Sequence, residues 1–201
     1  STAIHLRRLG YSVTLLEANK IGWGASGRNG GHVGTGQRVD QAQLEKWLGL
    51  EHAKALWQLG LEAVDTVCGL IEQHRIDCEL KRGNLHVASK AADIADLPGE
   101  VEHLQRVYVY QQIRYVDAAE LAQMTAAQGF GGATLNTGCR HLHPLNYALG
   151  LARAAIELGA QLHEGSRVLS YTQGEQVSVR TDRGEVRARF LVVACNGYLE
   201  K

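Results

Sequence analysis

The residue pattern is that of an α/β protein: a parallel sheet with covering helices, into which a block of mixed α and β structure is inserted. Three observations carry this. The chain opens with a helix-spaced segment that runs directly into a short aliphatic strand, the second half of a β–α–β unit. The hydrophobic period changes near Ile76 and changes back after Pro144. Towards the end, "FLVVA" is a continuous apolar run, the mark of a strand covered on both faces in a parallel sheet.

Taken in order, "STAIHLRRLG" places Ala3, Ile4, Leu6 and Leu9 at helical spacing, and Gly10 is positioned to end the helix. "YSVTLLE" is then a strand, expected to be buried on both faces and to close on Glu17. A glycine-rich loop extends through Gly36. From Asp40 to His74 the spacing of Leu50, Ala53, Trp57, Leu61, Val64, Cys68 and Ile71 predicts one long amphipathic helix. "DCELKRGNLHVAS" predicts two short strands joined at Arg82–Gly83, and Pro98 to Gln112 a helix. "VDAAELAQM" predicts a short helix with Asp117 as its N-cap, and "GGATLNTG" returns to strand. Pro144 opens a helix that Gly159 closes. A β-meander turning at Arg183–Gly184 and the strand "FLVVA" complete the chain, and no internal repeat interrupts it. Trp47 and Trp57 fall on apolar helix faces and are expected in the core; Arg7, Arg8 and Lys46 are expected to be solvated charges.

The 201 residues suit one or two small domains, and a hydrophobic share of 45% is enough for a buried core without special staples. Equal numbers of basic and acidic residues, 21 of each, leave no basic excess to neutralise phosphates, so nucleic acid is not an expected partner. Cys68, Cys78, Cys139 and Cys195 are scattered and form no C-x-x-C pair, which points to reduced thiols and a cytoplasmic location. No apolar run approaches the roughly 20 residues that cross a bilayer.

The stretch "GWGASGRNGG", Gly22 to Gly31, begins with the pattern G-x-G-x-x-G. As a dinucleotide fingerprint it is a decoy: it follows the strand that ends at Glu17, after a short connection, and leads into more glycines instead of a helix. In a dinucleotide fold the acidic residue ending the second strand lies about 20 residues beyond the fingerprint. Counting back from Glu17 puts the fingerprint and the first strand upstream of Ser1, so the chain is expected to be a piece of a larger protein.

The order of elements, the loop "IGWGASGRNGG" and the segment "HLHPLNYALGLARAAIELGAQLHEGSRV" resemble the FAD-dependent oxidoreductases of the D-amino-acid oxidase type. The nearest resemblance is to their gamma-glutamylputrescine oxidase-like branch. Members run to about twice this length, which implies a further truncation after "GYLEK". The resemblance implies an FAD-binding Rossmann-like sheet lacking its first strand and glycine fingerprint, in residues 1–75 and 137–201, with part of an inserted α+β substrate domain in residues 76–136. It implies that Glu17 binds the adenosine ribose hydroxyls. Ala25, Ser26, Arg28, Asn29, Gly30 and Gly31 are to line the flavin and pyrophosphate. Val168 is to hold adenine through its main chain, and Ala194 and Gly197 are to end the strand beneath the pyrophosphate. His32 stands where the branch is expected to carry glutamine, and Cys195 where threonine or glycine is more frequent; both bear on substrate more than on flavin.

The activity implied is oxidation of the C–N bond of a small-molecule amine or amino acid, with oxygen as acceptor and imine or aldehyde and peroxide as products. The alternatives are a dehydrogenase passing electrons to a quinone, and a non-catalytic flavin-fold binding module. His32 is a weak candidate for proton transfer; the other catalytic residues are expected outside this chain. Cys139, His141 and His143 alternate as ligands on one strand face would. Without a fourth ligand nearby, and with Pro144 breaking the strand, a polar cavity lining or a surface cluster is the better reading, and no metal is expected.

Overall fold

The structure, a computed structural model, describes residues 1–198. Residues 199–201, where the sequence reading places a truncated end, lie outside the described residues. The elements in chain order are α1 (Thr2–Arg8), β1 (Thr14–Leu16), β2 (His32–Val33), α2 (Gln41–Leu48), α3 (Leu50–Gln73), β3 (Lys81–Ala88) and α4 (Ala91–Val107). They continue with β4 (Ile113–Asp117), α5 (Ala118–Met124), β5 (Gly132–His141), α6 (Pro144–Glu157), β6 (Gln161–His163), β7 (Val168–Thr172), β8 (Val177–Thr181) and β9 (Glu185–Ala188). Short 3-10 turns occupy Ala25–Gly27 and Asn196–Tyr198. The chain divides into two compact units, residues 1–28 with 148–201, and residues 29–147.

In the first unit β1 and β6 form a parallel pair, Thr14 to Leu16 against Gln161 to His163. Glu17 continues β1 by one bond, its N–H donating to the His163 carbonyl at 2.9 Å. The strand is half-buried, not buried on both faces as expected. α1 buries Ala3 and Ile4 but leaves Leu9 exposed, and Gly10 adopts φ +86° at its end. Arg7 is not the solvated charge anticipated. Its Nε donates to the Leu158 carbonyl at 2.8 Å and its Nη1 to the Tyr11 carbonyl at 2.6 Å, so a guanidinium satisfies an orphan carbonyl at the C-terminal end of α6. β7, β8 and β9 form the antiparallel meander, closed at Gly184 by Thr181, which donates its N–H to the Gly184 carbonyl at 2.8 Å.

The apolar run 190–194 is not a buried parallel strand. Phe190, Leu191, Val192 and Val193 are exposed and have no regular structure. A strand exists only where a neighbour completes its ladder, and among the described residues nothing pairs with this run. Glu17 therefore has β6 beside it, not a strand ending at Ala194.

The second unit is built on an antiparallel sheet in which β5 is central. β3 pairs along one side of β5, while β4 and the short β2 share the other, β4 opposite Gly132–Asn136 and β2 opposite Arg140–His141. The expected hairpin at Arg82–Gly83 is one continuous strand. Gly83, at φ +96°, sits instead where the register jumps from Arg82–Arg140 to Asn84–Asn136, a bulge that leaves Thr137 to Cys139 bowed out of the ladder. The helix over 40–74 is two helices, because Gly49 at φ +80° closes α2 and restarts the chain as the N-cap of α3. Trp57 of α3 is buried with Val101, Leu104, Tyr110 and Ile113, whereas Trp47 on α2 is 64% exposed and not in the core.

α4 begins at Ala91 and carries Pro98 inside it, where the sequence reading had placed the helix start. Leu97, Val101 and Leu104 bury one face, and that packing outweighs the hydrogen bond that proline cannot donate. The helix stops at Val107, and Ile113 onward is strand, not helix as far as Gln112. The α5 cap is as anticipated: an Asp117 carboxylate oxygen accepts from the Glu120 N–H at 2.9 Å. The compact units divide after Arg28 and after Tyr147, and the packing of Trp57 ties α3 to the middle block.

Candidate functional site

At the carboxyl end of the parallel pair, the Glu17 peptide is fixed from both sides. Its N–H donates to the His163 carbonyl and its carbonyl accepts from the Ser166 N–H at 2.8 Å. The Glu17 carboxylate turns back to accept from the Asn19 N–H at 2.8 Å, which holds it at the strand end. One residue past β6, Glu164 accepts from Lys20 Nζ and from the Ile21 N–H, each at 2.8 Å. The hydrogen bond from Lys20, then that from Ile21, keep the Glu164 carboxyl below its ordinary range. An open concavity of about 490 Å³ lies here, lined by Asn19, Lys20, Trp23, Glu164, Gly165 and Arg183. Clefts beyond the carboxyl ends of parallel strands are where α/β sheets receive nucleotides.

The glycine-rich loop leaves this edge and makes one 3-10 turn over Ala25–Gly27, with no α-helix following. Gly27 is obligatory: a Cβ there would meet the Gly22 carbonyl oxygen at 2.1 Å. The Arg28 guanidinium lies over the Trp23 ring, 4.6 Å from its centroid. Tyr198 packs edge-on to Trp23 at 6.5 Å and stands against Gly24, so the 3-10 turn containing Gly197 meets the loop that carries Ala25 and Ser26. Ala194 is exposed two residues before that turn, and Val168 opens β7, paired with Thr181 and exposed.

The loop continues into the second unit at Asn29, whose side-chain oxygen accepts from the Gly31 N–H at 2.8 Å. Gly31 adopts φ +69° and touches backbone so closely that a Cβ would lie 1.9 Å from the Leu142 carbonyl oxygen. Gly30 faces the His32 ring. His32 is exposed at the start of β2, with Nδ1 3.0 Å from the Asn84 amide nitrogen. In this orientation the amide donates to Nδ1.

Cys139, His141 and His143 do not converge. The Cys139 thiol is 3.7 Å from Thr35 Oγ1, His141 Nδ1 is 3.4 Å from the Gly83 carbonyl, and His143 Nδ1 accepts from the Asn146 N–H at the start of α6. Among the described residues no group of three metal-ligating side chains occurs. The contributors that escaped sequence reading include Asn19, Lys20, Glu164, Gly165 and Tyr198. Glu164 carried a signal, an acid directly after a strand, as Glu17 is; Tyr198 carried none, since its contact with Gly24 spans most of the chain.

The whole chain, residues 1–201, matches the family described as FAD dependent oxidoreductase. It is 38% identical over 198 residues to "Probable oxidoreductase OrdL" of Rhizobium meliloti (strain 1021), covering 98% of this chain and 46% of the relative. It is 35% identical over 199 residues to gamma-glutamylputrescine oxidoreductase of Escherichia coli (strain K12), covering 99% and 46%. The chain thus spans about half the length of the curated relatives it matches. Among solved structures, glycine oxidase from Geobacillus kaustophilus superposes with a TM-score of 0.74 at 22% identity, over 96% of this chain and 50% of that one, a likeness of fold.

Proposed function

Since the chain belongs to the family of FAD dependent oxidoreductases, we propose that it forms part of a flavoenzyme oxidising the C–N bond of an amine or amino acid, in the manner of gamma-glutamylputrescine oxidoreductase, with oxygen as electron acceptor. The observation that carries this is the parallel β1–β6 edge, where a cleft lined by Asn19, Lys20, Trp23, Glu164, Gly165 and Arg183 opens two residues beyond Glu17. These residues fit the cofactor. A strand-end carboxylate suits ribose hydroxyls, and the Gly22 and Leu142 carbonyl oxygens, which leave no room for a Cβ at Gly27 and Gly31, hold the loop in one conformation. Glu17 would hold the ribose; Ala25, Ser26, Arg28, Asn29, Gly30 and Gly31 would line flavin and pyrophosphate; Val168, Ala194 and Gly197 would bound the nucleotide. FAD when bound supplies the two-electron acceptor. His32, whose Nδ1 lies 3.0 Å from the Asn84 amide nitrogen, would be a candidate for proton transfer.

The test is FAD titration followed by flavin fluorescence. Replacing Arg28 with Ala removes a charge-assisted donor worth roughly 1.5–3 kcal/mol, so affinity is expected to fall by about one to two powers of ten. Arg106→Ala serves as the control, because that side chain is exposed on α4. Equal affinities in the two variants would make the loop structural only. Peroxide release on amine addition to the flavin-loaded protein separates the oxidase from a quinone-linked dehydrogenase.

A further inference from the structure

Two thiols meet where α3 ends. Cys68 stands on the α3 face that buries Trp57, Val64 and Ile71, one turn before Ile71, and is half-buried. Beyond the helix the chain folds back: the Arg75 N–H donates to the Glu72 carbonyl at 3.2 Å and the Ile76 N–H to the Ile71 carbonyl at 2.9 Å, with Arg75 at φ +48°. This is a Schellman closure, which sets the residue after the turn against the last turns of the helix. Ile76 and Cys78 are then buried, at 5% and 1% exposure, while Asp77 and Glu79 are exposed. The segment therefore turns the Cys78 side chain inward, beside the helix it has just left. The Cys78 carbonyl accepts from the His143 N–H at 2.7 Å, and His143 Nδ1 accepts from the Asn146 N–H at 3.2 Å in the first turn of α6. The end of α3 and the entry to α6 are thus joined through Cys78.

The electrostatics agree with that placement. Burial first, then the charges of Asp77 and Cys68, push the Cys78 thiol up, and a hydrogen bond from the Leu80 backbone N–H counters them. The Tyr147 hydroxyl, in the first turn of α6, is pushed up by burial and then by Cys78 and Cys68. Groups from α3, from the segment after it and from α6 therefore share one small region. Both cysteines are free thiols. A half-buried thiol is within reach of a small oxidant, and a buried neighbour whose thiolate accepts the Leu80 N–H is placed to resolve the product. The Cys68 thiolate attacks one oxygen of hydrogen peroxide, the O–O bond breaks and one water leaves, giving a sulfenic acid. The Cys78 thiolate attacks that sulfur, the S–S bond forms and the hydroxide leaves as a second water. Two thiols lose two electrons and two protons, and one peroxide is reduced to two waters.

We propose that Cys68 and Cys78 form a peroxide-responsive dithiol, which closes to a disulfide across the end of α3 and tightens the entry to α6. The pair needs only a hydroperoxide as oxidant, the class of product that an oxidase releases, and its chemistry does not depend on bound flavin.

The experiment treats the full chain with hydrogen peroxide, blocks the remaining thiols with iodoacetamide and digests with trypsin in the absence of reductant. Trypsin cuts after Arg75, between the two cysteines, so residues 55–75 and 76–81 stay joined only through an S–S bond. Mass spectrometry should find that joined pair in about tenfold or greater excess over every other cysteine pairing, and dithiothreitol should separate it. Cys68→Ser and Cys78→Ser should each abolish it, whereas Cys195→Ser, at an exposed position, should leave it unchanged. If a serine variant does not fold, the digest of the unaltered chain decides alone. Recovery of both cysteines in alkylated form, a sulfinic or sulfonic Cys68 with no joined pair, or preferential pairing with Cys139 or Cys195 overturns the site. Amide hydrogen exchange on the same samples reads the link to α6. The Asn146 N–H should exchange more slowly after oxidation, and unchanged exchange there overturns the tightening of α6.

Discussion

At Gly31 two independent constraints meet: φ is +69°, and a Cβ would sit 1.9 Å from the Leu142 oxygen. Gly34, three residues on, has neither a positive φ nor any atom within 4 Å of a built Cβ. Gly31→Ala should therefore cost about 2 kcal/mol or more in a urea unfolding curve, and Gly34→Ala about 0.5 kcal/mol or less. Equal costs would mean that backbone shift relieves the first clash at no charge to stability. The requirement at Gly31 was legible as a run of glycines around Arg28 and Asn29, a composition that an ordinary linker does not need. Which glycine meets which wall was not legible, because the walls are supplied from remote sequence: Leu142 for Gly31, Tyr198 for Gly24. The same holds for Arg7, whose role depends on a carbonyl at Leu158.

Where an element carries its own local signal, reading it from sequence worked. The helix from Pro144 to Glu157 has its proline start, its apolar face and Gly159 at φ +88° just beyond its end. The α5 cap is equally local, and Asp117→Ala should cost about 1 kcal/mol by removing the acceptor for Glu120 N–H. An unchanged urea midpoint would show that solvent replaces it fully. Strands were harder, since a strand is a contract between distant segments; the same apolar composition that makes β1 a strand leaves 190–193 without one. A second element-level device joins α2 to α4. Glu45 of α2 accepts from Tyr108 Oη at 2.7 Å and lies 2.7 Å from His103 Nε2. Burial alone would raise the Glu45 carboxyl, but the hydrogen bonds from His103 and Tyr108, and the charges of His103 and Lys54, hold it below its usual 4.5. Burial first, then donation to Glu45, pushes the Tyr108 hydroxyl up to about 12 from 10.0. A depressed carboxyl stabilises the fold above its unfolded pKa and ceases to as pH falls through the folded one. A raised phenol contributes below pH 10.0 and is lost as pH climbs past about 12. The stability difference between wild type and Glu45→Gln should thus be full above the unfolded carboxyl value and shrink as pH falls through the depressed folded one. A difference independent of pH would assign the bond a neutral role.

For the molecule as a whole, the α/β class with an antiparallel block inserted in a parallel framework was legible, because hydrophobic period is a property of the uninterrupted sequence. What α3 packs against was not, because the burial of Trp57 against Val101, Leu104 and Tyr110 is made with distant sequence. If the cleft at the β1–β6 edge takes FAD, cofactor at 100 times its dissociation constant should add about 2.7 kcal/mol to unfolding, read as a concentration-dependent rise in Tm. A Tm indifferent to FAD over that range would deny the cleft its ligand. The discontinuity of the first unit also has a consequence in time. Residues 1–28 must meet residues 148–198, but roughly 120 residues are synthesised between them, which at about 5–20 residues per second takes roughly 6 to 24 s on the ribosome. Throughout that delay β1 has no β6 to pair with and Arg7 no Leu158 to hold. Residues 1–28 then wait without β6, while the middle unit, continuous in sequence, is free to fold before it.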